Sequence, residues 1–258
     1  MSFPAAADGS KVLLGKGKVF FNRFDANGVS GGERFLGNCT KLEISTEDDV
    51  IELKDSTTAA AATLAKVNRE RKVNVAISMS EFDKENLGLA LMGDSSPLVQ
   101  TSATVTDEAI KSCGGDKYIP LANRDLTSVT NVKKGATTYV AGTDYEVDLV
   151  QGRIYVKAGG AIDLLTHPDS LTCTYVKAAI TRQRVRGAIS GKIEGTLRFV
   201  ADPTTGPIWD AEVWKLSVNP DGVVSLIGDE FGEMSLTGQA LSDGINHPTE
   251  PFYRLIQR

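Results

Sequence analysis

The chain contains few residues that could do chemistry, and their surroundings match no catalytic pattern. Its two histidines, His167 and His247, each precede a proline in a predicted loop, whereas a general base needs an enclosed and oriented imidazole. Gly93-Asp94-Ser95 lacks the full Gly-x-Ser-x-Gly elbow of a serine hydrolase. The sequence therefore predicts no catalytic residue, and we expect a protein that is not an enzyme. Hydrolase activity that depended on Ser95 or a histidine would overturn this expectation.

The stretches that resemble cofactor-binding or metal-binding motifs do not have the residue spacing that those motifs require. The glycine-rich stretch 9–17 does not have the Gly-x4-Gly-Lys-Ser/Thr spacing of a phosphate-binding loop. Asp25-Ala26-Asn27-Gly28 places its glycine too early for an EF-hand calcium loop. We therefore expect neither a cofactor nor a metal ion.

The three cysteines, Cys39, Cys113 and Cys173, are far apart in the sequence and form no CxxC pair. A zinc site or a redox motif is therefore not indicated. Buried thiols are the simpler interpretation. An odd number of cysteines also leaves open a disulfide between subunits, in a particle that later leaves the cell.

Composition points to a globular protein rich in β structure. The chain has 258 residues, of which 41% are hydrophobic and 24% charged, and its 25 glycines favour turns. No apolar run approaches the roughly 18 residues of a membrane helix, and the N-terminus lacks a signal peptide pattern. We expect synthesis in a cytoplasm and no membrane partner. The net charge of −5 argues against a dedicated nucleic-acid binder.

The charged residues are unevenly placed along the chain. Acidic residues crowd one stretch, which contains Glu43, Glu47, Asp48, Asp49, Glu52 and Asp55. Arg182, Arg184 and Arg186 would share one face of a strand. A solvated face is the simplest interpretation of both groups. In a ring of subunits, the acids would line a lumen and the arginines would pair with a neighbour.

The alternation of polar and apolar residues predicts half-buried strands at 41–45, 50–54 and 73–80. The segment between the last two, residues 55–72, is far longer than the roughly 2–5 residues of a hairpin loop. We interpret it as an arm that reaches another subunit, so deleting residues 57–67 should leave a folded subunit that cannot polymerise. The candidate arm residues are Asp55, Thr57, Thr58, Leu64, Val67, Arg69 and Arg71.

The remaining sequence predicts a core domain interrupted by an insertion. Asp83 is a candidate cap for a short helix that ends near Gly93. Short β runs separated by turns over residues 97–177 suggest an inserted sandwich similar to an immunoglobulin-like module. Long alternating strands return after residue 178, and 211–218 is predicted to pair with 222–227 across a turn. The predicted halves of the core are 1–96 and 178–258, forming an antiparallel β-sandwich or barrel.

Several of these segments together resemble bacteriophage major tail tube proteins. The segments are Gly17–Phe24, Gly37-Asn38-Cys39-Thr40-Lys41-Leu42-Glu43-Ile44, the arm, Glu85-Asn86-Leu87-Gly88-Leu89-Ala90-Leu91-Met92-Gly93, the C-terminal strands with Glu233–Leu241, and the ending His247-Pro248-Thr249-Glu250-Pro251-Phe252-Tyr253. Asp144-Tyr145-Glu146-Val147 is similar to immunoglobulin-like insertions found in some of these proteins. The resemblance is one of diffuse patterning over most of the chain.

The resemblance implies a structural subunit of a virion tail, assembled in a bacterial cytoplasm. Six subunits would close an inner β-barrel, and rings would stack into a tube that conducts DNA to the host, with the arm bridging rings. Glu43, Glu47 and Glu52 would be the lumen-facing acids. The partners implied are other copies of the chain, transiting DNA, a tape-measure protein, and tail sheath, baseplate or tip, and terminator proteins where the tail has them.

A second interpretation of the sequence stays open. A β-sandwich can also be a monomeric carbohydrate-binding or adhesin-like module, in which Trp209 and Trp214 would offer a stacking platform for sugars. Glycan binding by a soluble monomer would favour this alternative, and assembly into tubes would favour the first.

Overall fold

A computed structural model describes residues 8–57 and 61–258 of the chain. It is 54% strand and 4% helix, with antiparallel sheets, as the alternating sequence predicts. The chain divides into two compact units: the first contains the described residues up to Ser96 together with Val185–Arg258, and the second is Pro97–Arg184. The second unit thus extends seven residues beyond the insertion boundary predicted at residue 177.

The described secondary structure consists of strands, one α-helix and one 3-10 turn at Gly9–Lys11. The helix α1 is Lys84–Ala90. The strands are β1 (Gly17–Arg23), β2 (Arg34–Phe35), β3 (Cys39–Lys54), β4 (Thr63–Met79), β5 (Asp94–Gln100), β6 (Ala103–Lys111), β7 (Lys117–Pro120), β8 (Leu126–Lys134), β9 (Thr137–Tyr139), β10 (Tyr145–Asp148), β11 (Arg153–Val156), β12 (Ser170–Lys177), β13 (Ile180–Arg186), β14 (Ile193–Ala201), β15 (Trp209–Pro220), β16 (Met234–Ala240) and β17 (Tyr253–Gln257). Within the described part, no helix is long and apolar enough to cross a membrane.

The first unit is built on one curled antiparallel sheet. Its strand order is β2-β1-β14-β15-β16-β4-β3, and β17 also pairs with β15. The alternate residues of β4 and β16 that point inward, among them Val75, Ile77 and Leu236, are buried in a single apolar cluster that includes residues of β1, β14 and β15. Burying one face of each strand is what produces the period of two seen in the sequence.

The largest departure from prediction is the arm. Residues 63–72 are not a loop: they belong to β4 and pair with residues 47–54 of β3, so the pairing extends to Lys54 and Thr63. Both faces of this distal hairpin, which we call the ribbon, are exposed, with only Val50 and Lys72 half-buried. Residues 63–72 show no regular apolar alternation, which is why they were interpreted as part of a loop. Residues 50–54 do alternate and do form a strand, but only Val50 is half-buried, so the prediction that this strand buries one face is wrong.

A second departure concerns the segment after β15. Residues 222–227 do not pair with β15, whose end pairs with β16 instead. The connection between the two strands, residues 221–233, is irregular; we call it the apolar loop. Four of its side chains are almost fully exposed: Val223 (87%), Leu226 (83%), Ile227 (94%) and Phe231 (99%).

The helix begins at the residue predicted to cap it. The Asp83 side chain accepts a hydrogen bond from the backbone N–H of Asn86 at 2.6 Å, which satisfies a helix-start donor. Asn86 itself is fully buried. Its amide nitrogen donates to the carbonyl oxygens of Leu36 and Glu81, both at 2.9 Å, and its oxygen accepts from Arg34 at 2.6 Å. One side chain thus joins α1 to the segments before β3 and after β4.

We expect Asn86→Ala to lower the free energy of unfolding by about 2–4 kcal/mol, because the buried carbonyl of Leu36 and the partly buried carbonyl of Glu81 would lose their donor. Urea denaturation followed by circular dichroism measures this loss. Asn68→Ala, on the exposed ribbon, is the matched control and should change stability by about 0.5 kcal/mol or less. Equal stability of the two variants would show that the Asn86 amide is not a structural link.

The second unit is a small two-layered sandwich. A sheet of four strands, in the order β6-β12-β8-β9, and a sheet of three, β10-β11-β7, share one buried apolar cluster. At its centre, the Tyr175 hydroxyl donates to the Glu108 carboxylate and accepts from Asn123. Burial and the Glu108 hydrogen bond raise the pKa of Tyr175 to about 12. The strands β5 and β13, through which the chain enters and leaves this unit, form a two-stranded sheet.

Candidate interaction surfaces

The histidines are engaged in local structure. His167 Nδ1 lies 2.9 Å from Ser112 Oγ, and its Nε2 lies 2.9 Å from the carbonyl oxygen of Asp163. Because Ser112 Oγ also accepts from the backbone N–H of Asp169 at 2.8 Å, the hydroxyl is assigned as the donor to Nδ1 and Nε2–H as the donor to the carbonyl. Both ring nitrogens are therefore occupied by the protein's own groups.

His247 fastens the C-terminal segment onto Trp214. The two rings stack with centroids 3.7 Å apart and planes 7° from parallel, and Trp214 Nε1 donates to the carbonyl of Glu250 at 2.7 Å. Arg254 lies 4.9 Å from the Trp214 ring centroid. The Trp214 ring is thus engaged by its own chain, and it does not present a joint sugar-binding platform with Trp209.

Ser95 and the cysteines were the remaining residues to place. Asp94, next to Ser95, binds Arg186. In the described residues, no three His, Cys, Asp or Glu side chains converge as a metal site would require. All three cysteines are free thiols.

The cysteines differ in how far they are from solvent. Burial, with a smaller contribution from Glu108, raises the pKa of the Cys173 thiol to about 12. Burial, with a smaller contribution from Glu81, raises the pKa of Cys39 to about 11. Cys173 is fully enclosed in its sandwich, so its side chain is not placed to bond to another folded subunit. Cys39 and Cys113 are half-buried.

The arginine cluster is engaged within the chain. Arg182 binds Asp125 and Arg186 binds Asp94, and Arg184 also has an interaction. These pairs show that at least two of the predicted intersubunit partners are used to hold β13 to its surroundings.

One face of the ribbon is ionic. Arg71 makes two hydrogen bonds to the Asp48 carboxylate, at 2.8 and 3.1 Å, and Lys66 lies 4.0 Å from Glu52. The acids of β3 thus meet the bases of β4 across the hairpin. Arg71, by hydrogen bonding and charge, lowers the pKa of Asp48. This complementarity fixes the register of the two exposed strands.

The ion pair predicts a pH dependence of the ribbon. A depressed carboxyl pKa contributes stability above the ordinary value of about 3.9, and that contribution is lost as the pH falls through the folded pKa. We expect an NMR titration of Asp48 to give a midpoint below the ordinary value for an aspartate, and Arg71→Gln to raise it to the ordinary range. An unchanged midpoint in Arg71→Gln would contradict the pairing.

The opposite face of the ribbon is apolar near its tip. Ile51, Leu53 and Val67 have 56–64% of their surface exposed. Ile51 and Leu53 occupy alternate positions on β3, and Val67 is the register partner of Ile51. Leu64 is equally exposed beside an irregularity in the pairing. Part of the predicted arm thus exposes neighbouring apolar side chains, which makes it a candidate interaction surface.

The other candidate arm residues have local roles or lie outside the description. At the turn, Asp55 accepts a hydrogen bond from the backbone N–H of Thr57 at 2.7 Å. Arg69 lies where the pairing slips by one residue, between Glu70 and Asn68. Thr58 lies outside the described residues.

The body of the sheet carries a polar face. Glu43, Ser45 and Glu47 of β3 line a shallow depression with residues of β4, β15 and β16, which are Asn74, Ala76, Asn219, Thr237, Gly238 and Gln239. Every residue of β3 from Lys41 to Lys54 is paired in turn, and the skipped residues lie on β4. Residues 43 and 47 therefore share a face, and residue 52 lies on the opposite one. The structure therefore separates Glu52 from the other two predicted lumenal acids.

A pocket not foreseen from the sequence opens where β3 approaches the other strands of the first unit. It has a volume of about 460 Å³ and is lined by apolar side chains that include Leu13, Leu42, Phe199, Trp209 and Leu255. Its charged lining residues are Lys16 and Lys41. Five separate segments contribute to it, so no local sequence pattern marks it.

Comparison with known proteins returns one family. The family described as protein of unknown function UCP028589 matches residues 12–251, a range that covers nearly all of the first unit and the whole of the second. No curated protein matches the chain.

Proposed function

The chain belongs to the family described as protein of unknown function UCP028589. We propose, from the ribbon, the sheet edge and the polar face, that it is the structural subunit of a bacteriophage tail tube. In this proposal, copies of the chain close into hexameric rings. The rings stack around a lumen that conducts DNA from capsid to host. No catalytic step is involved.

The ribbon is the observation that carries the proposal. A two-stranded hairpin on its own is at best marginally stable in water, yet here β3 and β4 remain paired far beyond the core that supports them. The apolar residues Ile51, Leu53 and Val67 remain uncovered by the chain itself. A second subunit that covers this face would give the ribbon the partner that its own unit lacks.

The sheet edge gives independent support. β3 is the end strand of its sheet and, in the described part of the chain, pairs only with β4 over its 16 residues. Long unpaired edges invite pairing with other chains, and a closed ring removes them. In a homo-hexamer the outer edge of β3 would meet a strand of the adjacent copy.

The polar face suits the wall of a DNA conduit. Its surface consists of hydroxyl and amide groups with two acids, and Lys41 lies 2.9 Å from Glu43. A face whose lysine is matched by an acid offers DNA phosphates few unmatched cations, so DNA slides past without strong binding. Glu43 and Glu47 are the acids that we assign to the lumen.

Electron microscopy of the purified full-length chain at increasing concentration tests the proposal. We expect hexameric rings and stacked tubes, and we expect the chain to be the main protein of phage tails that contain it. A protein that remains monomeric at high concentration, and that antibodies do not find in tails, would overturn the assignment.

A further inference from the structure

The first unit has two apolar surfaces that its own chain leaves uncovered: the apolar loop, and the pocket whose lining contains Lys16 and Lys41. The loop exposes Val223, Leu226, Ile227 and Phe231 almost completely. These side chains are therefore not used to fill the pocket of their own chain. Removing apolar side chains of this size from water is favourable, so a surface that covers them would stabilise the contact.

We propose that the apolar loop of one copy inserts into the pocket of a second copy. This inference rests on the proposed function for its partner, and it names a contact that assembly alone does not specify. We assign the pocket to the loop of another copy because the loop and the pocket are both apolar and carry opposite charges.

The charged residues of each surface have a single sign, and the two signs are opposite. Residues 221–233 include four acids and no basic residue: Asp221, Asp229, Glu230 and Glu233. The pocket lining includes Lys16 and Lys41 and no acid, although Lys41 also contacts the exposed Glu43. Apolar side chains entering the pocket would thus bring carboxylates to a lysine-bearing rim. Such pairs orient a contact and disfavour wrong ones.

The contact has a defined symmetry. Loop and pocket are different surfaces, so each copy would use its loop on one neighbour and its pocket on another. A heterologous contact of this kind closes into a ring or extends as a filament. It would therefore help to determine the ring, separately from the ribbon.

Photo-crosslinking tests the contact directly. Phe231 is replaced by p-benzoylphenylalanine in the full-length chain, and equal amounts of ¹⁴N- and ¹⁵N-labelled protein are mixed before irradiation. We expect cross-links between copies that map to the pocket segments, residues 13–19, 39–44 and 209–211. The matched control is the same replacement at Ile245, which is 95% exposed but outside the loop. Cross-links confined to one copy, or no more frequent than at position 245, would overturn the proposal.

Complementary variants test the symmetry. Phe231→Asp disables the loop and Leu255→Glu disables the pocket, and Lys16→Glu is a second pocket variant on an exposed side chain. We expect Phe231→Asp and Leu255→Glu each to abolish the loop–pocket contact when present alone, and an equimolar mixture of the two variants to restore it between one loop and one pocket, detected as one-to-one heterodimers in native mass spectrometry. Asp229→Lys should recover most of an association constant that Lys16→Glu lowers by about tenfold. Failure of both the heterodimer and the recovery would rule out the contact.

The two proposals fail in different ways. Normal tubes without pocket cross-links would overturn the loop contact and leave the tail tube assignment standing. Pocket cross-links in a protein that forms small closed rings but is absent from tails would overturn the assignment and leave the contact standing.

Discussion

Replacing residues 49–70 with an Asn-Gly turn is expected to leave a folded subunit that forms no tubes. Asp48 and Arg71 are directly opposite each other in the register, so a two-residue turn can close the hairpin behind them. The described residues among those removed, 49–57 and 61–70, are almost all exposed, and none of them belongs to the buried cluster of the first unit. Thermal unfolding of this unit should therefore change little.

The loss of assembly should be large because the deletion removes the whole apolar face of the ribbon. Truncating a residue that dominates an interface typically weakens binding by about 2 kcal/mol or more. Losing Ile51, Leu53 and Val67 should thus lower the association constant by at least ~10³-fold, even when their effects are not additive. Sedimentation velocity and electron microscopy measure this change.

Two full-length variants separate the faces of the ribbon. Ile51→Thr combined with Val67→Thr keeps the hairpin and alters only the apolar face, and we expect it to reproduce most of the loss. Glu52→Gln combined with Lys66→Gln alters the ionic face and should assemble almost normally, since exposed ion pairs contribute little. Normal tubes from the shortened chain would remove the ribbon from the assembly mechanism.

The ribbon also shows what the sequence could and could not predict. Alternation located β4, β14 and β16 because each buries one face in a common core. It failed at residues 55–72, where no face is buried and an alanine- and threonine-rich run resembles a loop. Deleting only residues 57–67, as that interpretation suggested, would leave residues 51–54 of β3 without their partner strand. The available signal was electrostatic: acids at 47–52 are followed by bases at 66–72, as in a hairpin closed by ion pairs.

The apolar loop illustrates the opposite error. Val223, Val224, Leu226 and Ile227 form a run typical of a strand, and a turn precedes them, so a local hairpin with β15 was the natural prediction. In the structure the end of β15 pairs with β14 and β16 instead, which leaves the run without a sheet. Strand partners are chosen by the whole core, and that choice is not encoded in any short window. The pocket could not be predicted from the sequence for the same reason, because five separate segments of the chain form its lining.

The second large effect is expected from reversing charge on the polar face. Glu43→Lys combined with Glu47→Lys would remove the partner of Lys41 and place a lysine opposite Lys72. The wall of each ring would then present a cluster of cations to a DNA backbone. Affinity for DNA should rise steeply and fall with added salt, because each phosphate neutralised releases counterions.

The position of the bound DNA distinguishes a lumen from an outer surface. Tubes of Glu47→Lys should take up a short fluorescent duplex and protect it from nuclease, whereas wild-type tubes should retain none. Glu52→Lys is the matched control: it makes the same substitution on the same strand, but on the opposite face. DNA held by that variant should remain open to digestion. If the nuclease digests DNA equally in both variants, the polar face does not line the lumen, and the conduit must be formed by another surface of the subunit.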